Sequence, residues 1–198
     1  MAVKVLILEG NPVARSFLCR VVGESFSSDM AITEAPTLES ARRHLAGTQD
    51  DPFRLVLVDL ELADGDGLTL LSELATAPAC CIATTLYADD EHLYPALQRG
   101  ADGYLLKEDR FELLVEELQK IVRGQPPLSP AIARRMLADF RDAPAAAALT
   151  PRENELLTFL SKGFTSKEIA GLLDLQRPGL NEHLRAIYGK FAAASRPA

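Results

Sequence analysis

Four side chains able to do chemistry stand at one kind of place in this sequence: Glu9, Asp59, Thr85 and Lys107. Each follows a short apolar run: residues 3–8 lead to Glu9, 55–58 to Asp59, 80–84 to Thr85 and 104–106 to Lys107. Short apolar runs of this kind, rich in β-branched residues around Asp59, suit strands buried on both faces of a parallel sheet. Ligands and chemistry gather at the carboxyl ends of such strands. A carboxylate, a hydroxyl and an ammonium meeting there suit phosphoryl transfer to the carboxylate. Asp59 would be the acceptor, Thr85 and Lys107 would bind phosphoryl oxygens, and a divalent cation would offset the negative charge. Gly65 and Gly67 supply a loose loop just beyond Asp59.

The intervening segments must place these groups on one edge. Pro12 opens a helical stripe of Phe17, Leu18, Val21 and Val22. Residues 30–34 read as a second strand, and Thr37 caps a helix with Leu38, Ala41 and Leu45 inward and Gly47 at its end. Leu68, Leu71 and Leu74 form the next helix, stopped by Pro78. Leu93, Leu97 and Ala101 continue the pattern, with Pro95 expected to disturb the first turns. Phe111, Leu114, Val115, Leu118 and Val122 fit a last helix. Strand and helix alternate five times, which argues for an α/β fold with a doubly wound five-stranded parallel sheet and right-handed crossovers.

From residue 124 the character changes. Gly124-Gln125-Pro126-Pro127 ends the last helix, and Ser129-Pro130 starts a short amphipathic one with Ile132, Met136, Leu137 and Phe140. Asp142-Ala143-Pro144 and the alanines after it read as a linker. Then Thr150-Pro151-Arg152-Glu153 forms a capping box, Leu156, Leu157 and Leu160 give an apolar face, and Gly163 ends the helix. Thr165 with Glu168 makes a second box before Ile169, Leu172 and Leu173. A turn through residues 174–178 leads to a third helix with Leu180, Leu184, Ile187, Tyr188 and Phe191. Short helices on capped turns followed by a longer one match a helix-turn-helix unit. The expected domains are 1–123, a linker with a short helix over 124–148, and 149–198.

With 198 residues the chain can hold both cores. No basic-then-apolar leader and no apolar run of membrane-spanning length occurs, which argues for a cytoplasmic protein without a membrane partner. Cys19, Cys80 and Cys81 have no metal-ligand spacing and read as buried reduced thiols. The net charge of −7 is uneven: residues 149–198 carry seven basic and five acidic side chains, so the first 148 hold the whole acidic excess. A mildly basic tail permits nucleic-acid contact without requiring it.

Residues 3–123 resemble the receiver domain of bacterial two-component response regulators, which is flavodoxin-like. The resemblance places the phosphoacceptor at Asp59, the switch threonine at Thr85, the switch aromatic at Tyr104 and the conserved lysine at Lys107. The run Gly100-Ala101-Asp102-Gly103-Tyr104-Leu105-Leu106-Lys107 is close to the NarL/FixJ subfamily. The acidic pocket departs from it. Receivers end their first strand with two adjacent acids that hold Mg²⁺, and here these positions are Glu9 and Gly10. A metal set of Glu9, Asp59 and a substitute Glu61 lacks the second acid, so Mg²⁺ binding and phosphorylation of Asp59 are expected to be weak or absent. At Glu61 a solvent-facing loop charge is the plainer reading.

Residues 149–191 resemble the LuxR-type helix-turn-helix, through Leu-Thr-Pro-Arg-Glu at 149–153, Gly163, and Ser-Lys-Glu-Ile-Ala at 166–170. This implies DNA as a partner, with Lys167 and Arg177 toward phosphates and Asn181, Glu182 and Arg185 toward the groove. Residues 192–198 do not supply the fourth helix common in the family, so the domain is expected to be truncated. The two resemblances together imply a DNA-binding transcriptional regulator, a homodimer, acted on by a sensor histidine kinase. The alternative is an interaction protein that docks to another regulator or kinase without reading DNA. Asp59-Leu60-Glu61 superficially resembles the Asp-x-Asp of haloacid-dehalogenase-like phosphatases, but that family carries its motif on the first strand, so no enzyme is expected.

Overall fold

The computed structural model describes residues 2–26, 29–48, 50–87, 89–124, 130–141 and 148–194; within these, the side chains at 90, 131, 132, 177, 178 and 192–194 are left undescribed. In order the elements are β1 (Val3–Leu8), α1 (Pro12–Ser25), β2 (Met30–Ala35), α2 (Leu38–Ala46), β3 (Leu55–Asp59), β4 (Glu61–Leu62) and β5 (Gly65–Asp66). Then come α3 (Gly67–Glu73), β6 (Cys80–Thr85), α4 (Asp90–Gln98), β7 (Gly103–Leu106), α5 (Phe111–Val122) and α6 (Pro130–Arg141). The chain closes with α7 (Pro151–Ser161), α8 (Ser166–Leu172) and α9 (Arg177–Ala194).

Five strands form the expected parallel sheet in the order β2-β1-β3-β6-β7. Alternation along the strands sorts the core. Val5, Ile7, Leu55, Leu57, Ile82 and Leu105 join Leu18, Val21 and Val22 of α1 and Leu114 and Leu118 of α5. The alternate neighbours Leu6, Leu8, Val56, Val58 and Ala83 pack instead with Leu38 of α2, Leu70 and Leu71 of α3, and Tyr94 and Leu97 of α4. β3 is buried along its whole length, so its carboxyl end sits at the middle of the sheet edge. Asn11 Oδ1 accepts from the amides of Val13 and Ala14, and Thr37 Oγ1 accepts from Ser40 N, so both predicted helix starts are capped.

Four local expectations need correction. Residues 61–66 are not a loose loop but a small antiparallel pair, β4 with β5, too short to leave a periodic signal. Pro95 does not disturb the start of α4; it sits inside the helix, its carbonyl still accepts from Arg99 N, and Tyr94, Ala96 and Leu97 around it are buried. Pro178 lies in the first turn of α9 rather than in the turn before it, where a missing N–H costs no helical bond. Cys81 alone of the three cysteines is buried, Cys19 and Cys80 being half-buried, and none forms a disulfide.

Both capping boxes of the C-terminal helices are formed. Their core is continuous with one face of the sheet: Met136 and Phe140 of α6, Leu156, Leu157 and Leu160 of α7, and Leu184, Ile187, Tyr188 and Phe191 of α9 belong to the same apolar cluster as Tyr94 and Leu97. α6 lies along α7 and α9 lies along α4. The readings placed on residues 125–129, 142–147 and 195–198 lie outside the described residues. Among the described residues no helix is long and apolar enough to cross a membrane.

Candidate functional site

The sheet edge brings Glu9, Asp59, Thr85 and Lys107 together as their strand-end positions require. Asp59 pairs in register with Thr84, so Thr85 stands one residue further on the neighbouring strand. Lys107 follows β7, and its amide donates to Thr85 O at 2.8 Å. Gly67 closes the other side: a Cβ there would lie 2.0 Å from the Asp59 carbonyl oxygen, so only glycine lets α3 begin so close to β3.

Lys107 Nζ is 2.6 Å from Asp59 Oδ1 and 2.8 Å from Glu9 Oε2. Both carboxylates are about 2% exposed at the side chain. Glu9 Oε1 also accepts from Asn11 N at 2.9 Å, whereas Oε2 faces the ammonium as an ion pair off the hydrogen-bond direction and has no other polar partner among the described residues. Burial holds the Glu9 carboxyl above its usual range, against the pull of Lys107 and the Asn11 amide. Burial also opposes the charge on Lys107, but its pairing with the Asp59 and Glu9 carboxylates outweighs that and holds its pKa above the ordinary lysine value. The lysine is therefore a fixed cation between two acids.

Glu61 does not join them. Its carboxylate accepts from Thr85 Oγ1 at 2.7 Å, while its amide donates to Asp59 Oδ1 at 3.1 Å. Although the residue is exposed as a whole, its carboxylate is thus engaged, unlike a free loop charge. Thr85 Oγ1 in turn accepts from Tyr87 N at 3.1 Å, and Tyr104 Oη donates to Tyr87 O at 2.5 Å. Burial pushes the Tyr104 phenol up to about 12. The Tyr87 ring stacks on His92 of α4, with centroids 4.5 Å apart.

As arranged, the donors do not fit a directly held divalent cation. Two acids face a lysine rather than a metal position, Glu61 is turned to Thr85, and no group of three or more His, Cys, Asp or Glu side chains among the described residues could hold an ion. Gly10 leaves the place of a further acid without a donor, though a Cβ there would meet only Pro36 O at 3.7 Å and Leu62 Cδ2 at 3.8 Å, ordinary contacts.

The second set of residues lies on α8 and α9. Lys167 and Glu182 are exposed; Arg177 opens α9 and its side chain lies outside the described residues. Arg185 was expected in a DNA groove. In this structure its Nη2 donates instead to Ala75 O, beyond the end of α3, at 2.9 Å. Asn181, Arg185 and Tyr188 line a cavity of only about 40 Å³ against Leu97, Gly100 and Asp102, so α9 is closely seated. The reason is apolar: Tyr94 of α4 packs at a tilt of 49° on Phe191, centroids 4.5 Å apart, and Phe140 of α6 meets the same ring edge-on. Of the side chains expected at DNA, Arg185 is engaged just beyond the end of α3, whereas Glu182 and Lys167 stay exposed.

Two functional arrangements were not foreseen from the residues. Tyr94, 2% exposed, holds α4 to α9, and Arg135 Nη2 donates to its hydroxyl at 3.1 Å. Its place three residues before Leu97 on an apolar helical stripe was the available signal. Lys190 Nζ reaches Glu153 Oε2 at 2.6 Å and Ala148 O at 3.2 Å, tying the end of α9 to the α7 capping box. Nothing local in the sequence announces that pair.

Comparison with known proteins agrees with this geometry. Residues 5–119 match the family described as response regulator receiver domain, and residues 147–198 match the family described as bacterial regulatory proteins, luxR family. The uncharacterized transcriptional regulatory protein YhcZ of Bacillus subtilis (strain 168) is 30% identical over 200 residues, covering 98% of this chain and 91% of that protein. The nitrate/nitrite response regulator protein NarL of Escherichia coli (strain K12) is 27% identical over 199 residues, covering 97% and 90%. The crystal structure of the response regulator ChrA of a heme-sensing two-component system superposes with a TM-score of 0.50 at 25% identity, over 96% of this chain and 90% of that one. A beryllofluoride-activated DrrB receiver domain matches in fold over 62% of this chain and 99% of that one, with a TM-score of 0.53 at 18% identity.

Proposed function

The chain belongs to the bacterial response regulators that carry a receiver domain followed by a luxR-family DNA-binding domain, and from that membership we propose how its residues share the work of a DNA-binding transcriptional regulator. We infer that residues 1–123 are the receiver, 124–148 the linker and 149–198 the DNA reader. Asp59 is the phosphoacceptor, with Lys107 and Thr85 binding the phosphoryl oxygens and Tyr104 sensing the change at Thr85. Glu9 and Asp59 are paired with Lys107 and Glu61 is turned to Thr85, so the acids present do not fit Mg²⁺ for phosphoryl transfer to Asp59. Replacement of the second acid by Gly10 makes that step weak or absent. A sensor histidine kinase is the implied donor, the working form is a homodimer, and the protein acts in the cytoplasm.

Lys167 and Arg177 are the phosphate contacts, and Asn181, Glu182 and Arg185 the base contacts. A carboxylate at Glu182 suits a cytosine amino group, Asn181 suits adenine, and Arg185 suits guanine. The observation that carries the reading is the bond of Arg185 to Ala75 O, on a helix seated along α4. The side chain that suits a DNA contact is occupied by the receiver, so DNA binding requires α9 to leave α4. The receiver's own switch residue, Thr85, ends the strand just before α4. Purified full chain incubated with fragmented DNA of its own genome at physiological salt tests this. Retention of a shared, two-fold symmetric site, weakening with added salt, is the expected result. Retention of nothing above background by folded protein would leave the alternative, an interaction protein that docks through its receiver.

A further inference from the structure

We propose that Glu61 is a positioning residue that supplies a built-in anion to the switch: its carboxylate binds the Thr85 hydroxyl where a phosphoryl oxygen on Asp59 would otherwise bind it. The inference rests on Asp59 as the acceptor and deepens that reading. Three observations on neighbouring atoms carry it. Thr85 Oγ1 donates to Glu61 Oε1 at 2.7 Å, so the hydroxyl is already committed to a negative charge. The Glu61 amide donates to Asp59 Oδ1 at 3.1 Å, which ties the Asp59 carboxylate to the backbone that carries Glu61. Lys107, the other phosphoryl-binding group, is shared by Asp59 and Glu9. Every group that would receive a phosphoryl anion has a carboxylate of this chain in its place.

The consequence passes along α4. With its hydrogen given to Glu61, Thr85 Oγ1 accepts from Tyr87 N, and Tyr87 O accepts from Tyr104 Oη. The Tyr87 ring lies on His92, whose amide and ring bond the α4 cap Asp89. α4 then presents Tyr94 and Leu97 to α9. Glu61 thus holds Thr85 and Tyr87, after β6, in one arrangement without phosphate. A phosphoryl group on Asp59 must displace it and accept a carboxylate as neighbour, so the acceptor is disfavoured by Glu61 as well as by Gly10.

Hydrogen exchange on the full chain, with beryllofluoride as the phosphoryl probe, tests the assignment. Glu61→Gln keeps the shape and removes the charge, and should raise amide exchange at Tyr87 and the first turn of α4 about tenfold, the difference between a charged and a neutral acceptor. Thr85→Val should do the same, Thr85→Ser should retain the wild-type protection, and Glu61→Gln combined with Thr85→Val should add nothing to either alone. Beryllofluoride with Mg²⁺, in chains that also carry Gly10→Asp to complete the acidic pair, should restore protection in Glu61→Gln but not in Thr85→Val. Unchanged exchange in Glu61→Gln overturns the proposal, as does additivity of the two substitutions. If Glu61→Gln loosens the segment but no variant takes up beryllofluoride, the Glu61–Thr85 link stands and Asp59 falls as the acceptor.

Discussion

Seating of α9 on α4 predicts that Tyr94→Ala opens the molecule and raises DNA affinity without touching a DNA contact. Tyr94 is 2% exposed, its ring lies 4.5 Å from that of Phe191, and its hydroxyl accepts from Arg135. An aromatic pair of this kind contributes about 0.5–1.5 kcal/mol beyond its area, and full burial of a large apolar side chain about 1.5–3 kcal/mol. Part of that burial is against the receiver and survives opening. A loss of about 2–3 kcal/mol from the closed state remains, which is roughly a 30- to 150-fold shift toward the open one. Because the apparent Kd is the intrinsic Kd divided by the competent fraction, DNA binding should tighten by up to that factor, stopping where the open form dominates. The assay is fluorescence anisotropy of a labelled duplex with full-length wild type and Tyr94→Ala at one salt concentration, with hydrogen exchange of α9 on the same samples. Equal affinity together with equal α9 protection in a folded variant would refute the reasoning. Faster α9 exchange with unchanged affinity would separate the two claims, sparing the docking and sinking its link to DNA.

Other consequences follow from single sites. Gly10→Asp meets only ordinary contacts at its Cβ, so it should fold and, by restoring an acid beside Glu9, raise Mg²⁺-dependent labelling of Asp59 by acetyl phosphate at least about tenfold; no increase on a phosphate-affinity gel would count against the metal reading. Lys107→Met leaves Glu9 and Asp59 buried without their cation and should cost about 3–5 kcal/mol in urea unfolding, most of it recovered when Asp59→Asn is added. Since the folded pKa of Lys107 is raised, its contribution is complete below 10.5 and is lost as pH climbs through that higher value. Glu153→Gln should destabilise the C-terminal helices by about 1.5–3 kcal/mol at pH 7. Burial opposes the Glu153 charge, but Lys190 and the Thr150 amide outweigh it and lower its pKa, so the contribution exists above 4.5 and fades as pH falls through the folded value. Melts followed by circular dichroism should therefore converge for wild type and variant once the pH is below that lowered value, and a gap that persists there would contradict the pairing.

What could be read from the residues alone was what neighbours along the chain decide. The apolar runs ending at Glu9, Asp59, Thr85 and Lys107 placed four polar groups on one sheet edge, because burial on both faces and parallel order leave few other arrangements. The capping boxes at Thr150 and Thr165 close within four residues, and both are present. The departure at Gly10 was equally visible. Partner choice was not. Lys107 is 48 residues from Asp59, Thr85 is 24 from Glu61 and Arg185 is 110 from Ala75. Whether Glu61 turns to a metal, to solvent or to Thr85 depends on where β6 sets a hydroxyl beside the β4–β5 turn, and whether Arg185 meets DNA or Ala75 depends on how Tyr94 and Phe191 bring α4 against α9. A hydrogen bond is decided within a few tenths of an ångström, whereas a sequence pattern fixes only which face of an element is apolar; the packing of those faces supplies the missing coordinate.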